Sequence, residues 1–387
     1  MKKYFKYIIV LSTAVAVFIS CKKDTASDIS YASPSSFNQA FNEFWNDMNV
    51  NYIYWDIDTT NWDAMYSRYQ PVFAGLNIND SNDLKKSVGY FRQMTDGLID
   101  SHYTLSFLAS PITDSFVEPS LDRKLRSPNF HYPYSYISLD SLFYIDKGYV
   151  DGTYTSSSNE TIFALSGTID HKILYFNCNL FGLEEASLSA TNNGVKNALQ
   201  YFFSNTENLP TNIKAIIIDV RGNHGGDLND LNFLIGHLIS NPLHFGFTRY
   251  KSGNGRLDYT PWVDADITPA QNVNIPSVPV IVLADNFSIS LAEAVTMAIH
   301  TMPNGTFVGE TTWGATGPLT ENGIYNDGQF TISNFLFTYT SSAEFKYING
   351  EIYEGKGFPP DVSVPFDSTA LKQGDDPMLD KAISLVQ

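Results

Sequence analysis

Ser290 lies where a serine hydroxyl could act as a nucleophile. Residues Val280–Leu283 form a short unbroken apolar run, which is typical of a strand buried on both faces, and a polar segment, 285–288, follows it. Apolar residues then recur at helical spacing from Leu291. The pattern predicts a strand, a sharp turn and a helix, with Ser290 on the turn. Unpaired backbone N–H groups and the positive end of the helix dipole could stabilise an oxyanion there.

The same serine also fits a purely structural role. Ser290 and Glu293 have the spacing of a capping box, in which each side chain accepts a hydrogen bond from the other residue's backbone amide. Taken alone, the pattern favours the cap over a nucleophile. The chemical interpretation therefore depends on other residues.

A glycine-rich segment follows an earlier buried strand, residues 213–220. Gly222–Asp227 lacks both the G-x-G-x-x-G spacing and the lysine of common phosphate-binding loops, so a nucleotide cofactor is not expected. The amide of Gly225 or Gly226, together with that of Leu291, could instead converge on an oxyanion. The alternative is a tight turn in which glycine supplies a positive φ.

The histidines do not form a metal-binding pattern. None of the seven has H-x-H or H-x-x-x-H spacing, so the sequence predicts neither a zinc site nor another cofactor. His102 differs from the others because it lies beside Asp100 at a predicted domain junction. We therefore single it out as a candidate base.

Composition excludes some classes of function. The chain has 387 residues, of which 43% are hydrophobic and 14% aromatic, as expected of a globular protein. Its formal net charge of −17 argues against nucleic acid as a partner, because phosphates require a basic surface.

The N-terminus predicts export. Three lysines precede an apolar run, residues 7–19, that is too short for a comfortable membrane span, so residues 1–20 are interpreted as a signal peptide. The run ends at Phe18–Cys21, which resembles a bacterial lipobox. We expect Cys21 to be lipidated and the protein to be anchored to a membrane of the cell envelope. The alternative is an ordinary secretory peptide with a chance cysteine.

The rest of the chain divides into four segments. Residues 21–36 are a polar tether, 37–107 a small helical domain with three amphipathic stripes, and 108–170 a connecting region of short strands and loops without a clear inserted peptide-binding (PDZ) module. From 171 to 387 the pattern is α/β, with parallel strands joined by crossover helices. Single helices are predicted over 183–203, 228–239 and 377–386, and Asn349-Gly350 predicts a hairpin turn.

Four motifs in order resemble one peptidase family. They are Asp219–Gly226, Ser288–Glu293, Val308–Gly314 and Glu354–Asp361. Together they are similar to the tail-specific (carboxyl-terminal processing) proteases and the tricorn core protease, serine peptidase family S41. The resemblance covers residues 37–107 and 172–365. It implies a crotonase-like (ClpP/crotonase-type) α/β core and a nucleophile at Ser290 rather than Ser288.

The sequence departs from the tail-specific branch at its general base. Those members carry a lysine just after the glycine matched by Gly314, and this chain has Ala315 there. The tricorn-like branch resembles a Ser–His–Glu arrangement, which implies His102 as the base and Glu354 as its partner. Glu344 and Glu351 are the alternatives to Glu354.

Two main hypotheses follow. The first is a lipid-anchored serine endopeptidase that cleaves peptide or protein substrates through an acyl-enzyme on Ser290. The second is a catalytically silent ligand- or peptide-binding lipoprotein on the same scaffold, which the missing lysine supports. A glycan-binding lipoprotein is a remoter alternative, suggested by Tyr132, Tyr134 and Tyr136. The sequence does not specify an oligomeric state.

Overall fold

The computed structural model describes residues 33–128, 130–270, 278–320 and 328–386. The predicted α/β class is confirmed: fourteen strands and eleven helices form within these residues. The strands are β1 Thr104–Phe107, β2 Phe116–Val117, β3 Val150–Thr155, β4 Thr161–Ile169, β5 Ile173–Cys178, β6 Ala215–Asp219, β7 Leu243–Tyr250, β8 Val263–Ile267, β9 Val280–Ala284, β10 Gly305–Gly309, β11 Gln329–Ile332, β12 Leu336–Tyr339, β13 Ala343–Tyr347 and β14 Val362–Ser363. The helices are α1 Phe37–Asn51, α2 Trp62–Ala74, α3 Ser81–Thr95, α4 Pro119–Leu125, α5 Tyr136–Phe143, α6 Leu183–Leu188, α7 Gly194–Glu207, α8 Asn229–Ile235, α9 Leu291–Thr301, α10 Ser368–Gln373 and α11 Pro377–Ser384.

A seven-stranded sheet forms the centre of the molecule. Its order is β14-β10-β9-β6-β5-β4-β3. The strands from β14 to β5 pair in parallel, whereas β4 pairs antiparallel with both β5 and β3. Every residue of β5, β6 and β9 is buried, as continuous apolar runs require when helices cover both faces of a parallel sheet.

The three predicted N-terminal helices are present as α1, α2 and α3. Side chains cap each of them: Ser36 accepts from the Gln39 amide, Asn61 from Ala64, and Asp80 from the first turn of α3. Their apolar stripes meet in one aromatic cluster, in which Phe41 stacks on Phe73 with ring centroids 4.9 Å apart. The stripes are therefore core packing.

The connecting region contains more regular structure than the sequence indicated. Residues 108–170 include the helices α4 and α5, which the weak periodicity of this segment did not reveal. They also include β3 and β4, which extend the central sheet. The boundary drawn at residue 171 therefore cuts through the sheet, and the α/β core begins with β3. Short strands were predicted in this segment, but antiparallel strands at a sheet edge carry a less continuous apolar pattern than central parallel ones, so their place in the central sheet was not.

Three further predictions need correction. The helix expected over 183–203 is two helices, α6 and α7, because Asn193 caps a new helix by accepting from the Lys196 amide. The helix expected over 228–239 is only Asn229–Ile235. Asn349-Gly350 does form a turn, but β13 before it pairs with β7, so the turn does not close a hairpin.

A smaller sheet joins the N-terminal and C-terminal parts of the chain. Its order is β11-β12-β1-β2, so two strands from the predicted peptidase core join β1, at the end of the predicted helical domain, and β2, from the connecting region. A third sheet has the order β13-β7-β8. The shared sheet fixes the segment 100–107 against the core, although the two are distant in sequence.

The predicted signal peptide, Cys21 and residues 21–32 of the tether lie outside the described residues. Among the described helices, none has the length and apolarity needed to cross a bilayer.

A buried ionic cluster holds the loop after β6. The Arg221 guanidinium donates to Asp219 and Asp140 and, at 2.6 Å, to Asp376, the N-cap of α11. Its side chain is fully buried, and it lies 3.9 Å from the centre of the Tyr136 ring. One guanidinium thus links a central strand, α5 and the C-terminal helix.

Replacing Arg221 tests the importance of this cluster. Arg221→Leu would leave three buried carboxylates without their cation and should lower the free energy of unfolding by about 3–5 kcal/mol, measured by urea denaturation. Arg126→Leu is the control, because the Arg126–Asp96 pair is exposed and should be worth less than about 1 kcal/mol. Equal effects of the two substitutions would contradict this account.

Candidate active site

Ser290 occupies a strained turn between β9 and α9. Its backbone has φ 58° and ψ −117°, a conformation that non-glycine residues rarely adopt. The residue directly precedes α9, so its side chain lies at the positive end of an eleven-residue helix. A strained serine between a strand and a helix exposes its hydroxyl beside unpaired amides, the geometry of a nucleophile elbow.

Ser288 has a different environment. It is fully buried, its hydroxyl donates to the Val220 carbonyl oxygen at 2.8 Å, and its Oγ accepts from the Asp285 amide at 2.9 Å. These bonds hold the turn. Ser290 is half-buried, so of the two serines it is the one that a substrate could reach.

Glu293 binds two separate segments of the site through its side chain. Its buried carboxylate accepts from the Ser290 amide at 3.1 Å and from the Gly314 and Ala315 amides at 2.7 Å each. The Thr312 hydroxyl donates to it at 2.6 Å. Burial raises the pKa of Glu293, while these donors act against the shift. The carboxylate therefore does more than cap α9: it joins the serine turn to the loop 312–315.

The glycine loop packs directly against Ser290. Gly225 has φ +93°, and a Cβ built on it would lie 2.8 Å from the Ser290 Cβ and 3.1 Å from the Leu291 nitrogen. The Gly225 amide donates to Asn223 Oδ1 at 2.8 Å. Among the described residues, no acceptor is bonded to the amides of Gly226 or Leu291. Those two N–H groups are the ones left to bind an oxyanion.

His102 is buried and held by Asp100 and Ser341. Its amide donates to Asp100 Oδ1 at 2.9 Å, and its Nδ1 lies 3.4 Å from Ser341 Oγ. The Ser341 hydroxyl donates to Asp100 Oδ1 at 2.9 Å, so its oxygen can accept from Nδ1–H and keep the lone pair on Nε2. Burial lowers the pKa of His102 to about 4, so the imidazole is neutral at pH 7.

Glu354 is buried beside the same segment. One carboxylate oxygen accepts from the Ser101 amide at 2.7 Å, and the other accepts from the Tyr54 hydroxyl and from the amides of Thr316 and Gly317. The carboxylate thus holds the residue before His102 and the loop after Ala315. These bonds are to backbone and hydroxyl groups rather than to the imidazole.

Two buried carboxyl groups share this region. Burial, and then the Asp100 charge, raise the pKa of Glu354 to about 8, and burial raises that of Asp100 to about 6. Two carboxylates without a nearby cation do not both ionise readily, so one of them holds a proton near neutral pH.

The two alternative glutamates lie elsewhere. Glu344 is bound to the Arg249 guanidinium at 2.6 Å, and Glu351 is exposed. Neither has a described bond to His102.

One cavity is lined by His102 and by neighbours of the other candidate residues, from distant parts of the chain. It encloses about 810 Å³, part of it open to solvent. Its walls come from the segment 101–104, from α4 and the residue before it, from the glycine loop and from the residues around the serine turn. The lining residues are Ser101, His102, Tyr103, Thr104, Glu118, Ser120, Leu121, Pro133, His224, Phe287, Ile289, Trp313 and Tyr339.

The cavity lining includes His102 and residues directly beside the serine turn, although Ser290 itself is not part of the lining. Ile289, directly before the serine, and His224, directly before Gly225, line the same space as His102. Four of the residues expected from the sequence follow the carboxyl ends of two central strands: Gly225 and Gly226 come after β6, and Ser290 and Leu291 come after β9. His102 and Glu354 reach the site through the shared sheet and the loop after β13.

Sequence reasoning missed Ser341 and Glu118. Ser341 follows β12 without a recognisable motif, and only the pairing of β12 with β1 brings it to His102. Glu118 lies in the segment predicted to contain short strands and loops. The sequence offered one indication of its position: Pro119, directly after this acidic residue, is typical of the first position of a helix.

The described residues contain one cluster with metal-ligand side chains. His244, Asp264 and Asp266 lie together on β7 and β8. The two aspartates are exposed, and His244 Nδ1 is bonded to Asp266 at 2.8 Å. The cluster takes no part in the cavity.

Comparisons with known proteins agree with this architecture. Residues 172–364 match the model described as Peptidase family S41, and residues 33–80 match the Tricorn protease C1 domain. A tricorn protease homolog of Streptomyces coelicolor is 29% identical over 171 residues, which are 44% of this chain and 13% of that protein. The chain thus corresponds to a small part of this relative.

Solved structures share the fold over most of the chain. A peptidase from Parabacteroides merdae has a TM-score of 0.69 at 22% identity, over 91% of this chain and 97% of that one. Mature CPAF has a TM-score of 0.61 at 11% identity, also over 91% and 97%. At these identities the similarity establishes the fold alone.

The family matches, together with this fold and the strained serine, define the class of the chain as a serine-type peptidase. More particularly, the part of the chain that matches, residues 172–364, is similar to peptidase family S41.

Gly225 should tolerate no side chain. Gly225→Ala would place a Cβ 2.8 Å from the Ser290 Cβ at a positive φ, and should lower the free energy of unfolding by about 1–3 kcal/mol in urea denaturation. Gly89→Ala is the matched control: no atom lies within 4 Å of that Cβ, and the position is inside α3. It should raise stability by up to about 1 kcal/mol. An unchanged free energy of unfolding in Gly225→Ala would show that the glycine loop packs less closely against Ser290 than these distances indicate.

Proposed function

We propose that this protein is a serine endopeptidase of the cell envelope that cleaves peptide bonds through an acyl-enzyme on Ser290. The observation that carries the proposal is the strained backbone of Ser290 at the start of α9, directly after Ile289, which lines the same cavity as His102. A backbone conformation of this kind persists only when the surrounding structure enforces it, and such strain is concentrated at functional sites.

The proposed reaction begins with a proton transfer. His102 Nε2 takes the Ser290 proton as Oγ attacks the substrate carbonyl carbon, and the amides of Gly226 and Leu291 bind the oxyanion that forms. His102 then gives the proton to the leaving amine, and the acyl-enzyme is hydrolysed by the reverse sequence. Gly225 keeps the loop close to the serine.

The neighbouring carboxyl groups support the imidazolium that forms. Asp100 reaches Nδ1 through the Ser341 hydroxyl, so we assign both as positioning residues for His102. Glu354, the partner implied by the family resemblance, holds the Ser101 amide and therefore the backbone that carries His102. A buried neutral imidazole is a weak base, and the negative charge behind it compensates when it becomes protonated.

Labelling with a fluorophosphonate probe tests the proposal. A soluble form that begins after Cys21 should be labelled, and mass spectrometry should map the label to Ser290 rather than Ser288. Ser290→Ala should abolish labelling, and His102→Ala should slow it by at least about 10³-fold, because the nucleophile loses its base.

Ser341→Ala distinguishes positioning from catalysis. It should slow labelling by about 10-fold to 100-fold without abolishing it, because the imidazole remains but is less well oriented. Ser135→Ala, which replaces another serine outside the cavity lining, is the control and should leave the rate unchanged. Proteolysis that survives Ser290→Ala would overturn the proposal.

The alternative is a binding protein without catalysis on the same scaffold. The observation that favours it is the apolar character of the cavity together with Ala315 in place of the lysine of other members. This alternative predicts that no variant is labelled, while an apolar ligand binds wild type and Ser290→Ala equally.

We also propose that a lipid on Cys21 anchors the protein to a membrane, with residues 22–36 as a polar spacer. The lipobox-like sequence before Cys21 supports this. In a bacterial host, wild type should incorporate labelled palmitate and sediment with membranes, and Cys21→Ser should do neither. Cys178→Ser is the control, because that cysteine is buried inside β5. Equal palmitate incorporation in both variants would rule out Cys21 as the anchor.

A further inference from the structure

The cavity beside Ser290 is not uniformly apolar. Aromatic and aliphatic side chains, among them Tyr103, Leu121, Trp313 and Tyr339, form much of its wall, and Glu118 also lines it. An acid in such a wall sets the kind of side chain that the cavity accepts.

The strand register locates Glu118 relative to His102. Leu105 pairs with Val117, so the antiparallel register places Glu118 opposite Thr104, and Thr104 pairs on its other side with Tyr339. Thr104 lies two residues after His102. Neighbouring strands are roughly 5 Å apart, so Glu118 lies across from Thr104 at about that distance, and His102 follows on the same wall in the bend before β1.

Glu118 has no described hydrogen-bond donor. The nearby guanidinium of Arg92 donates to Asp122 and to the Phe116 carbonyl oxygen instead. Although Glu118 is the N-cap residue of α4, its side chain makes no capping hydrogen bond. The carboxylate thus lies half-buried in a largely apolar wall without a described hydrogen-bond donor, so it is available to a ligand.

We propose that Glu118 selects substrates with a lysine or arginine side chain next to the scissile bond. This inference rests on the proposed function. The aliphatic stem of such a side chain packs on the aromatic wall while its charged end reaches the carboxylate, and its length suits the separation of Glu118 from His102. A purely apolar side chain of similar length would leave the carboxylate without a partner.

The ionisation of Glu118 gives the selectivity a pH dependence. Burial, and then the Asp122 charge, raise its pKa to about 7, while Arg92 acts in the opposite direction. The two histidines of the lining, His102 and His224, have lowered pKa values and stay neutral near pH 7, and burial raises the pKa of Tyr103, so it also stays neutral. The preference for a basic side chain should therefore increase between pH 6 and pH 8, as Glu118 loses its proton.

The test compares arginine with citrulline, its uncharged analogue of the same shape. Internally quenched peptides that differ only in this residue, placed at each position in turn, are cleaved by wild type, Glu118→Gln and Asp114→Asn. Wild type should favour arginine at one position by at least 10-fold in kcat/KM, and Glu118→Gln should bring the ratio close to one. Asp114→Asn should keep it, because Asp114 is exposed and does not line the cavity.

Binding to the inactive protein separates this inference from the proposed function. Isothermal titration of the same peptides into Ser290→Ala, with and without Glu118→Gln, should give the same arginine-to-citrulline ratios. Equal binding of the two peptides, or an arginine preference that survives Glu118→Gln, would overturn the inference. Absence of fluorophosphonate labelling together with selective binding would instead overturn the proposed catalysis and keep the selectivity.

Discussion

The site depends on one buried carboxylate, that of Glu293. Four donors from two segments converge on it: the Ser290 amide, the Thr312 hydroxyl and the amides of Gly314 and Ala315. Because an unpaired buried carboxylate would be very unfavourable, these bonds strongly oppose any separate movement of the two segments. The strained backbone of Ser290 is maintained in this way. A residue that the sequence presents as a helix cap thus holds the turn on which the proposed chemistry depends.

Glu354 performs a similar task for the segment that carries His102. It binds the Ser101 amide and the amides of Thr316 and Gly317, so the segment that carries His102 is tied to the loop that continues from Ala315. The sheet formed by β11, β12, β1 and β2 reinforces this connection. His102 therefore depends on docking of the N-terminal helical domain against the core. The loop that contains Ala315 is thus joined to the serine turn through Glu293 and to the segment that carries His102 through Glu354.

The parts of the fold with strong periodicity were predictable. Continuous apolar runs identified β5, β6 and β9, and 3,4-spaced aromatic residues identified α1, α2 and α3, because a buried parallel strand and an amphipathic helix each impose a pattern on a short window. The segment that became α4, α5, β3 and β4 was not predictable in the same way. Its aromatic residues pack against several different elements, so no single face gives a period. The boundary at residue 171 was misplaced for this reason.

For the site, the sequence by itself determined the serine turn, the glycine loop and the residue types that could act as base and acid, because each lies in a contiguous motif whose local geometry follows from its own residues. Only the tertiary structure decided how they are arranged. It placed Glu354 at the Ser101 amide, introduced Ser341 between Asp100 and His102, and brought Glu118 into the cavity wall. These contacts join residues up to 253 positions apart. Such contacts arise from strand pairing and domain docking, which depend on how complete faces pack together, and a local pattern carries no record of that.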